Sequence, residues 1–411
     1  MSIVARLHSS FARRALALLF LGSVCSAALC AELPRAAGIA SQNKQATAAG
    51  FLILEQGGNA FDAAVAVSAA LGVVEPESSG LGGGGFFLLH RASDGKTVFI
   101  DAREAAPLAA TRDMYLDAAG NPDRAKSVNG ALAAGIPGLP AGLVLVAQRY
   151  GKLPLKQSLA PAIKLARKGY VWSAKNAAMI GFRAEQLGKS PAAAKLFLKG
   201  GKPPTVGEKV RNPDYAQVLE RIAEQGHRGY YEGATAKALV NGVRAAGGIW
   251  VADDLRNYKA VEREPLRFEY RGQQILTAPP PSSGGVALVG LFQILSGYPL
   301  ADFSRVARLH VEIEAMRRVY RDRAVYLGDP DFVQMPMEML LSPWYAAGLR
   351  ASIHTGKATP SDALPGISAP QEGTDTSHFS IIDADGNVAA VTQSVNLPFG
   401  AAIVAPGTGF V

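Results

Sequence analysis

The apolar positions of this chain fall into runs of two kinds, punctuated by glycine and proline. Residues 46–74 are dominated by Ala, Leu, Val and Phe and are interrupted by Gln56-Gly57-Gly58-Asn59. The interruption predicts a helix end, and residues 61–74 predict a second, mostly buried helix. Residues 86–91 and 97–101 predict two strands turned at Ser93-Asp94-Gly95. Helices are expected at 142–150, 159–168, 174–187, 215–225 and 235–246, most of them separated by short turns with Gly or Pro. Residues 266–270 and 274–277 predict a hairpin around Arg271-Gly272. A further apolar helix is expected at 286–295, and a long one at 305–327 with charge on one face. Residues 356–374 are polar and rich in Pro, Ser and Gly, which predicts an exposed or mobile loop. Two β-rich runs, 377–383 and 388–395, close around Asp385-Gly386-Asn387 as a hairpin. Strand pairs at the two ends with helices between them predict a layered α+β protein.

Composition narrows the class. The 411 residues are enough for one large or two medium domains. Hydrophobic residues make up 48% and charged residues 18%, so a sizeable core is expected and global disorder is excluded. The formal charge of +8 falls when Arg6, Arg13 and Arg14 of the N-terminal segment are set aside. There is no long basic run and no basic-aromatic interleaving, which argues against a nucleic-acid partner.

The N-terminus has the form of a secretory signal. Arg13-Arg14 precedes an apolar run at 15–24, followed by the small residues Ser26-Ala27-Ala28 and Ala31. This predicts an exported protein, periplasmic or extracellular, with residues 1–31 as the signal peptide. Cys25 and Cys30 are the only cysteines and would leave with it. The mature chain then has no disulfide framework and no thiolate site. The histidines show no metal-ligand spacing. Neither a metal nor an organic cofactor is implied.

Three segments carry candidate chemistry. In Asp375-Thr376-Ser377-His378-Phe379-Ser380, Thr376 opens a strand directly after the polar loop. A threonine freed at an N-terminus carries its own base, its α-amino group. His378 shares a strand face with Thr376, but an N-terminal nucleophile needs no imidazole, and a structural role is expected for it. Ile100-Asp101-Ala102-Arg103-Glu104-Ala105-Ala106-Pro107 presents Arg103, whose planar guanidinium can meet a carboxylate through two hydrogen bonds. Glu104 is expected to hold that arginine in place. Glu75-Pro76-Glu77-Ser78-Ser79-Gly80-Leu81-Gly82-Gly83-Gly84-Gly85 has almost no side-chain bulk. It lacks the Lys-Ser/Thr of a phosphate-binding loop, so it is read as close backbone packing against the nucleophile strands.

These segments, with Val391-Thr392-Gln393-Ser394-Val395-Asn396 and Gly135-Ile136-Pro137-Gly138, resemble the γ-glutamyltranspeptidases (glutathione hydrolases) in order and spacing. The resemblance implies the four-layer αββα sandwich of the N-terminal nucleophile hydrolases. It implies self-cleavage between Asp375 and Thr376, with a large-subunit region at 32–375 and the start of a small subunit at 376–411, a heterodimer once cut. It further implies Thr376 as nucleophile, Arg103 on the substrate α-carboxylate, Thr392 and Ser394 in support of the nucleophile, and Asn396 with Ser394 in substrate binding. Threonine is the usual family residue at 394. The substrates implied are glutathione and related γ-glutamyl amides, with water, an amino acid or a peptide as acceptor.

Family small subunits are longer than 376–411, so the resemblance implies an incomplete sandwich and a fragment without turnover. Two alternatives remain open at this stage. One is an acylase of the cephalosporin or glutaryl type, and the other is a non-catalytic remnant that needs a separate small subunit.

Overall fold

A computed structural model describes residues 36–364 and 376–411. The segment 1–31 expected to be a signal peptide, with Cys25 and Cys30 in it, and Asp375 lie outside the described residues. The framework is a six-stranded antiparallel sheet made from β1 (Gly38–Ala40), β2 (Gly84–Arg91), β3 (Lys96–Ala102), β6 (Val261–Arg263), β9 (Ser377–Ile382) and β10 (Val388–Ser394). Two small ladders stand apart from it: β4 (Tyr170–Val171) with β5 (Lys209–Val210), and β7 (Leu266–Tyr270) with β8 (Gln273–Thr277).

In the large sheet the order is β1-β9-β10-β2-β3-β6. The β9–β10 hairpin therefore lies inside the sheet, between strands from the other end of the chain. Its alternation sends Ser377, Phe379 and Ile381 to a buried face, and Thr376, His378 and Ser380 to an exposed one. On β10 the buried positions are Ala389, Val391 and Gln393. This period-2 pattern fixes register, because a one-residue slip would expose Phe379 and bury His378. Burying one Phe side chain is worth about 2 kcal/mol, and such a slip forfeits it.

The buried face rests on helices. α1 (Lys44–Glu55) and α2 (Ala60–Val74) are followed by α3 (Leu139–Tyr150), α4 (Leu155–Lys168), α5 (Ala174–Gly188) and α6 (Pro213–Gln225). α2 contacts β9 and β10 on one side and α1, α3 and α4 on the others. Its apolar composition all round follows from that position, since every residue of it is buried. Asn59 caps it, with Asp62 completing a capping box. The carboxylate of Asp383, from the β9–β10 turn, also accepts a bond from the Ala60 amide at 2.8 Å. A negative group at a helix N-terminus is favourable, and this one ties the hairpin to α2.

The glycine-rich loop behaves as the sequence predicts. A Cβ at Gly83 would collide with the Ser394 carbonyl, and one at Gly82 with the Val411 carbonyl. The loop is the floor on which the end of β10 lies.

Helices α7 (Ser283–Leu295), α8 (Arg305–Tyr326) and α9 (Pro343–Ala351) form a second apolar cluster around Ile294, Val311, Ala315 and Val319. The charge expected on one face of the long helix lies partly on its inner side. Glu314, Arg318 and Asp322 point inward and are buried, while Val306, Leu309, Ile313, Met316 and Tyr320 are exposed. The inward charges are tolerated because they are paired and hydrogen-bonded. Arg318 donates to the Glu314 carboxylate at 2.7 Å and to the Ser352 carbonyl at 2.8 Å. Glu314 also accepts from the Thr359 amide at 3.1 Å.

That bond also bears on the loop expected to be exposed or mobile, whose described residues are mostly exposed. Within the predicted loop 356–374, the described part is fastened to α8 at Thr359 and then forms a short 3-10 turn, Ser361–Ala363. The remainder of the loop lies outside the described residues.

Candidate active site

Thr376 is exposed and immediately precedes β9. Its neighbour Ser377 is fully buried. The Ser377 hydroxyl accepts a hydrogen bond from the Gln42 amide at 2.6 Å and another from the Ser79 hydroxyl at 2.7 Å. The β9–β10 ladder ends with Gln393 opposite Ser377. One step further along the same register, Ser394 comes level with Thr376. On the next strand Ser394 pairs with Gly84, where the missing side chain leaves room.

His378 faces Thr392 across the ladder, and its Nδ1 lies 2.8 Å from the Thr392 hydroxyl. Its Nε2 lies 3.4 Å from the Ser380 hydroxyl. The ring is thus engaged along the exposed face of the hairpin. Thr392, expected to support the nucleophile, has its hydroxyl held by this imidazole.

Arg103 directly follows β3. Its amide donates to Asp101 Oδ1 at 3.1 Å, and its carbonyl accepts the Tyr258 hydroxyl at 2.6 Å. The guanidinium stands 5.8 Å from the Phe86 ring centroid, and Nη1 reaches the Pro281 carbonyl at 3.4 Å. Asp101 is itself fixed by Arg263 at 2.9 Å, and Arg263 by Asp331 at 2.8 Å. Glu104 approaches Arg103 only to 3.8 Å, with both side chains about half exposed. The ion pair expected between them is therefore present but loose. Tyr258, Asp101 and Pro281 do more, and an exposed pair at that distance contributes little.

A two-residue spacing on a continuing strand would put Asn396 on the face of Ser394. Asn396 does not continue that face, because β10 ends at Ser394 and Asn396 adopts a left-handed backbone with φ 74°. Asparagine tolerates that region better than most residues. The turn is closed by the Asn396 amide donating to the Ser394 hydroxyl at 2.8 Å.

The predicted residues still come together. Thr376, Arg103, Thr392, Ser394 and Asn396 line one cavity of about 190 Å³, floored by Gly84 and Gly85. Its charged groups are Arg103 and the partly exposed Glu104. The cavity offers a guanidinium for an anionic head group, hydroxyls and an amide for polar atoms, and the Thr376 hydroxyl for attack. Among the described residues no cluster of His, Cys, Asp and Glu could hold a metal ion.

Ser377, Ser79, Gln42 and Tyr258 were not singled out from sequence. Ser79 and Ser377 lay within quoted motifs, but nothing local marks their side chains as meeting.

Residues 46–411 match the family model described as Gamma-glutamyltranspeptidase, and the chain belongs to that family. It is 43% identical over 368 residues to a glutathione hydrolase proenzyme of Pseudomonas sp. strain A14, covering 89% of this chain and 64% of that protein. It is 40% identical over 383 residues to the acylase ACY 1 proenzyme of Pseudomonas sp. strain V22, covering 91% of this chain and 68% of that protein. Among solved structures, the γ-glutamyltranspeptidase of Helicobacter pylori superposes with a TM-score of 0.77 at 37% identity, covering 82% of this chain and 97% of that one. A cephalosporin acylase from Bacillus halodurans gives 0.80 at 29% identity, covering 91% and 68%. The fold is therefore that of the γ-glutamyltranspeptidases and related acylases, an N-terminal nucleophile hydrolase fold. The chain spans 64% of the length of the Pseudomonas glutathione hydrolase it matches.

Proposed function

We propose that this chain is the self-processing part of a γ-glutamyl hydrolase or transferase with Thr376 as its nucleophile. The observation that carries the reading is the convergence of Thr376, Arg103, Ser394 and Asn396 on one cavity. In the first step the Thr376 hydroxyl attacks the Asp375 carbonyl. The peptide C–N bond breaks, an ester forms, and water hydrolyses it to an Asp375 carboxylate and a free Thr376 amine. That amine then takes the hydroxyl proton as the oxygen attacks the γ-amide carbon of a substrate such as glutathione. The departing amine receives the proton, and water or an amino acid resolves the γ-glutamyl ester.

Arg103 meets the substrate α-carboxylate through paired charge-assisted bonds. Asn396 and Ser394 bind the polar head of the glutamyl group, and Thr392 and Ser394 support the nucleophile. The chain is an exported precursor in this reading, cut near Ala28 or Ala31, and its two portions stay together as large and small subunits.

An acylase acting on a glutaryl-type amide is the second reading, supported by the 40% identity to acylase ACY 1. The presence of Arg103 beside Asn396 favours an amino-acid head group over a plain glutaryl chain. Rates on γ-glutamyl anilide and glutaryl anilide separate the two. They are to be measured on the 411-residue chain alone and with the remaining length of its relatives supplied as a separate polypeptide. Faster, Thr376-dependent release from the γ-glutamyl compound supports the first reading. Preference for the glutaryl compound overturns it.

A further inference from the structure

We infer that Gln42, Ser79 and Ser377 form a positioning element that aims Thr376, an inference that rests on Thr376 being the processed nucleophile. The physical problem is specific to a nucleophile at a chain end. Once its preceding peptide bond is gone, Thr376 is a terminus, and termini fray unless they are tied down. The β ladder gives little help there, because its last pair is Gln393 with Ser377. The first fixed point is therefore Ser377, one residue from the reacting hydroxyl.

Ser377 is fixed by side-chain bonds from two directions. Its hydroxyl is fully buried and accepts from Gln42 Nε2 at 2.6 Å and from the Ser79 hydroxyl at 2.7 Å. Gln42 comes from the stretch joining β1 to α1, and Ser79 from the loop leading into β2. Both precede residue 376, so both belong to the other polypeptide after the cut. The two bonds would then hold the new terminus across a gap in the chain.

Alternation along the strand turns this hold into aim. With the Ser377 side chain held on the helix-facing side, the Thr376 side chain must emerge on the opposite, cavity-lining side. Ser79 is 1% exposed, so its hydroxyl has no bulk water to substitute for a lost partner.

The test compares Ser377→Ala, Ser79→Ala and Gln42→Leu with the parent chain, and Ser377→Thr as the conservative variant that keeps the hydroxyl. Self-cleavage is followed by intact mass on the folded fraction only, so that loss of folded protein is not read as loss of rate. The expected result is cutting slowed about 10- to 100-fold in each removal variant, near-parent cutting in Ser377→Thr, and folded, uncut chain accumulating. In processed enzyme kcat should fall while KM stays within about twofold, because no substrate contact has been removed. Parent-like cutting by folded Ser377→Ala and Ser79→Ala would overturn the inference and leave the proposed function standing.

If the parent itself never cuts, the proposed function fails, and hydrogen exchange at amides 376–379 then judges the positioning alone. Faster exchange there in Ser79→Ala, with other strands unchanged, supports it. Unchanged exchange overturns it.

Discussion

The imidazole Nδ1 of His378 and the hydroxyl of Thr392 stand 2.8 Å apart, directly opposite each other on β9 and β10. A histidine held in this way buttresses the hairpin, and under the proposed function the base for Thr376 is its own α-amine. His378→Ala should therefore lower turnover by less than about tenfold, below the usual contribution of a general base. The pH profile should keep its limb near the α-amino range of about 8. Disappearance of that limb in the variant would instead make His378 the base.

Arg103 is positioned through its backbone as much as its side chain. Arg103→Ala should raise KM for a γ-glutamyl amide about 100-fold, the scale of a lost charge-assisted pair. Arg103→Lys should recover only part of this, because an ammonium cannot present two parallel donors. Tyr258→Phe removes the donor at 2.6 Å from the Arg103 carbonyl and should raise KM about 3- to 10-fold. Steady-state kinetics on the three variants check the order.

The Glu314–Arg318 pair should be the most sensitive point of the second apolar cluster. Both side chains are almost fully buried. Arg318→Met leaves a buried carboxylate without its main partner and should cost about 3–5 kcal/mol in urea unfolding. Burial opposes ionisation of Glu314, but bonds from Thr359, Arg318 and Arg317 outweigh it and bring its pKa down to about 2. The folded value lies below the unfolded one. The pair's stabilisation is therefore complete above the ordinary carboxylate range and is lost as pH falls toward 2. Unfolding midpoints from pH 6 to 3 should converge for the parent and Arg318→Met.

Glu77 has the opposite sign. It is fully buried, and desolvation raises its pKa despite a bond from Asn176 at 2.9 Å and Lys175 at 3.6 Å. A raised carboxyl weakens the folded state as pH climbs past the unfolded value. Glu77→Gln keeps an oxygen for Asn176, and Lys175 keeps Glu75 at 3.5 Å. At pH 8 the variant should be at least as stable as the parent, with the difference shrinking toward pH 4. Thermal melts at both pH values check it, and marked destabilisation at pH 8 would refute it.

The sequence was most legible where the physical signal is local. The 377–395 hairpin could be read because its alternation and its Asp-Gly-Asn turn lie within one short stretch. Thr376 and Arg103 could be named from their motifs. Their meeting depends on the β9–β10–β2–β3 register, which joins segments far apart in the chain. That the charge on α8 turns inward is not legible in the sequence, because Glu314, Arg318 and Asp322 have the spacing of a solvated stripe. Their partners Ser352, Thr359 and Tyr345 lie well downstream. The place of Asn396 is hidden for a different reason: its two-residue spacing from Ser394 imitates a strand, and the left-handed turn that breaks it leaves little local sign. The short strands β1 and β6 have three residues each, too few for a period to show.

The central claim is that Thr376 becomes an N-terminus by its own chemistry. Denatured intact mass and N-terminal sequencing of the purified chain, followed over time beside Thr376→Ala, test it directly. The account predicts two polypeptides from the parent, one beginning at Thr376, and a single uncut chain from the variant. A parent chain that stays whole while folded, or a variant that is cut at the same bond, would contradict it.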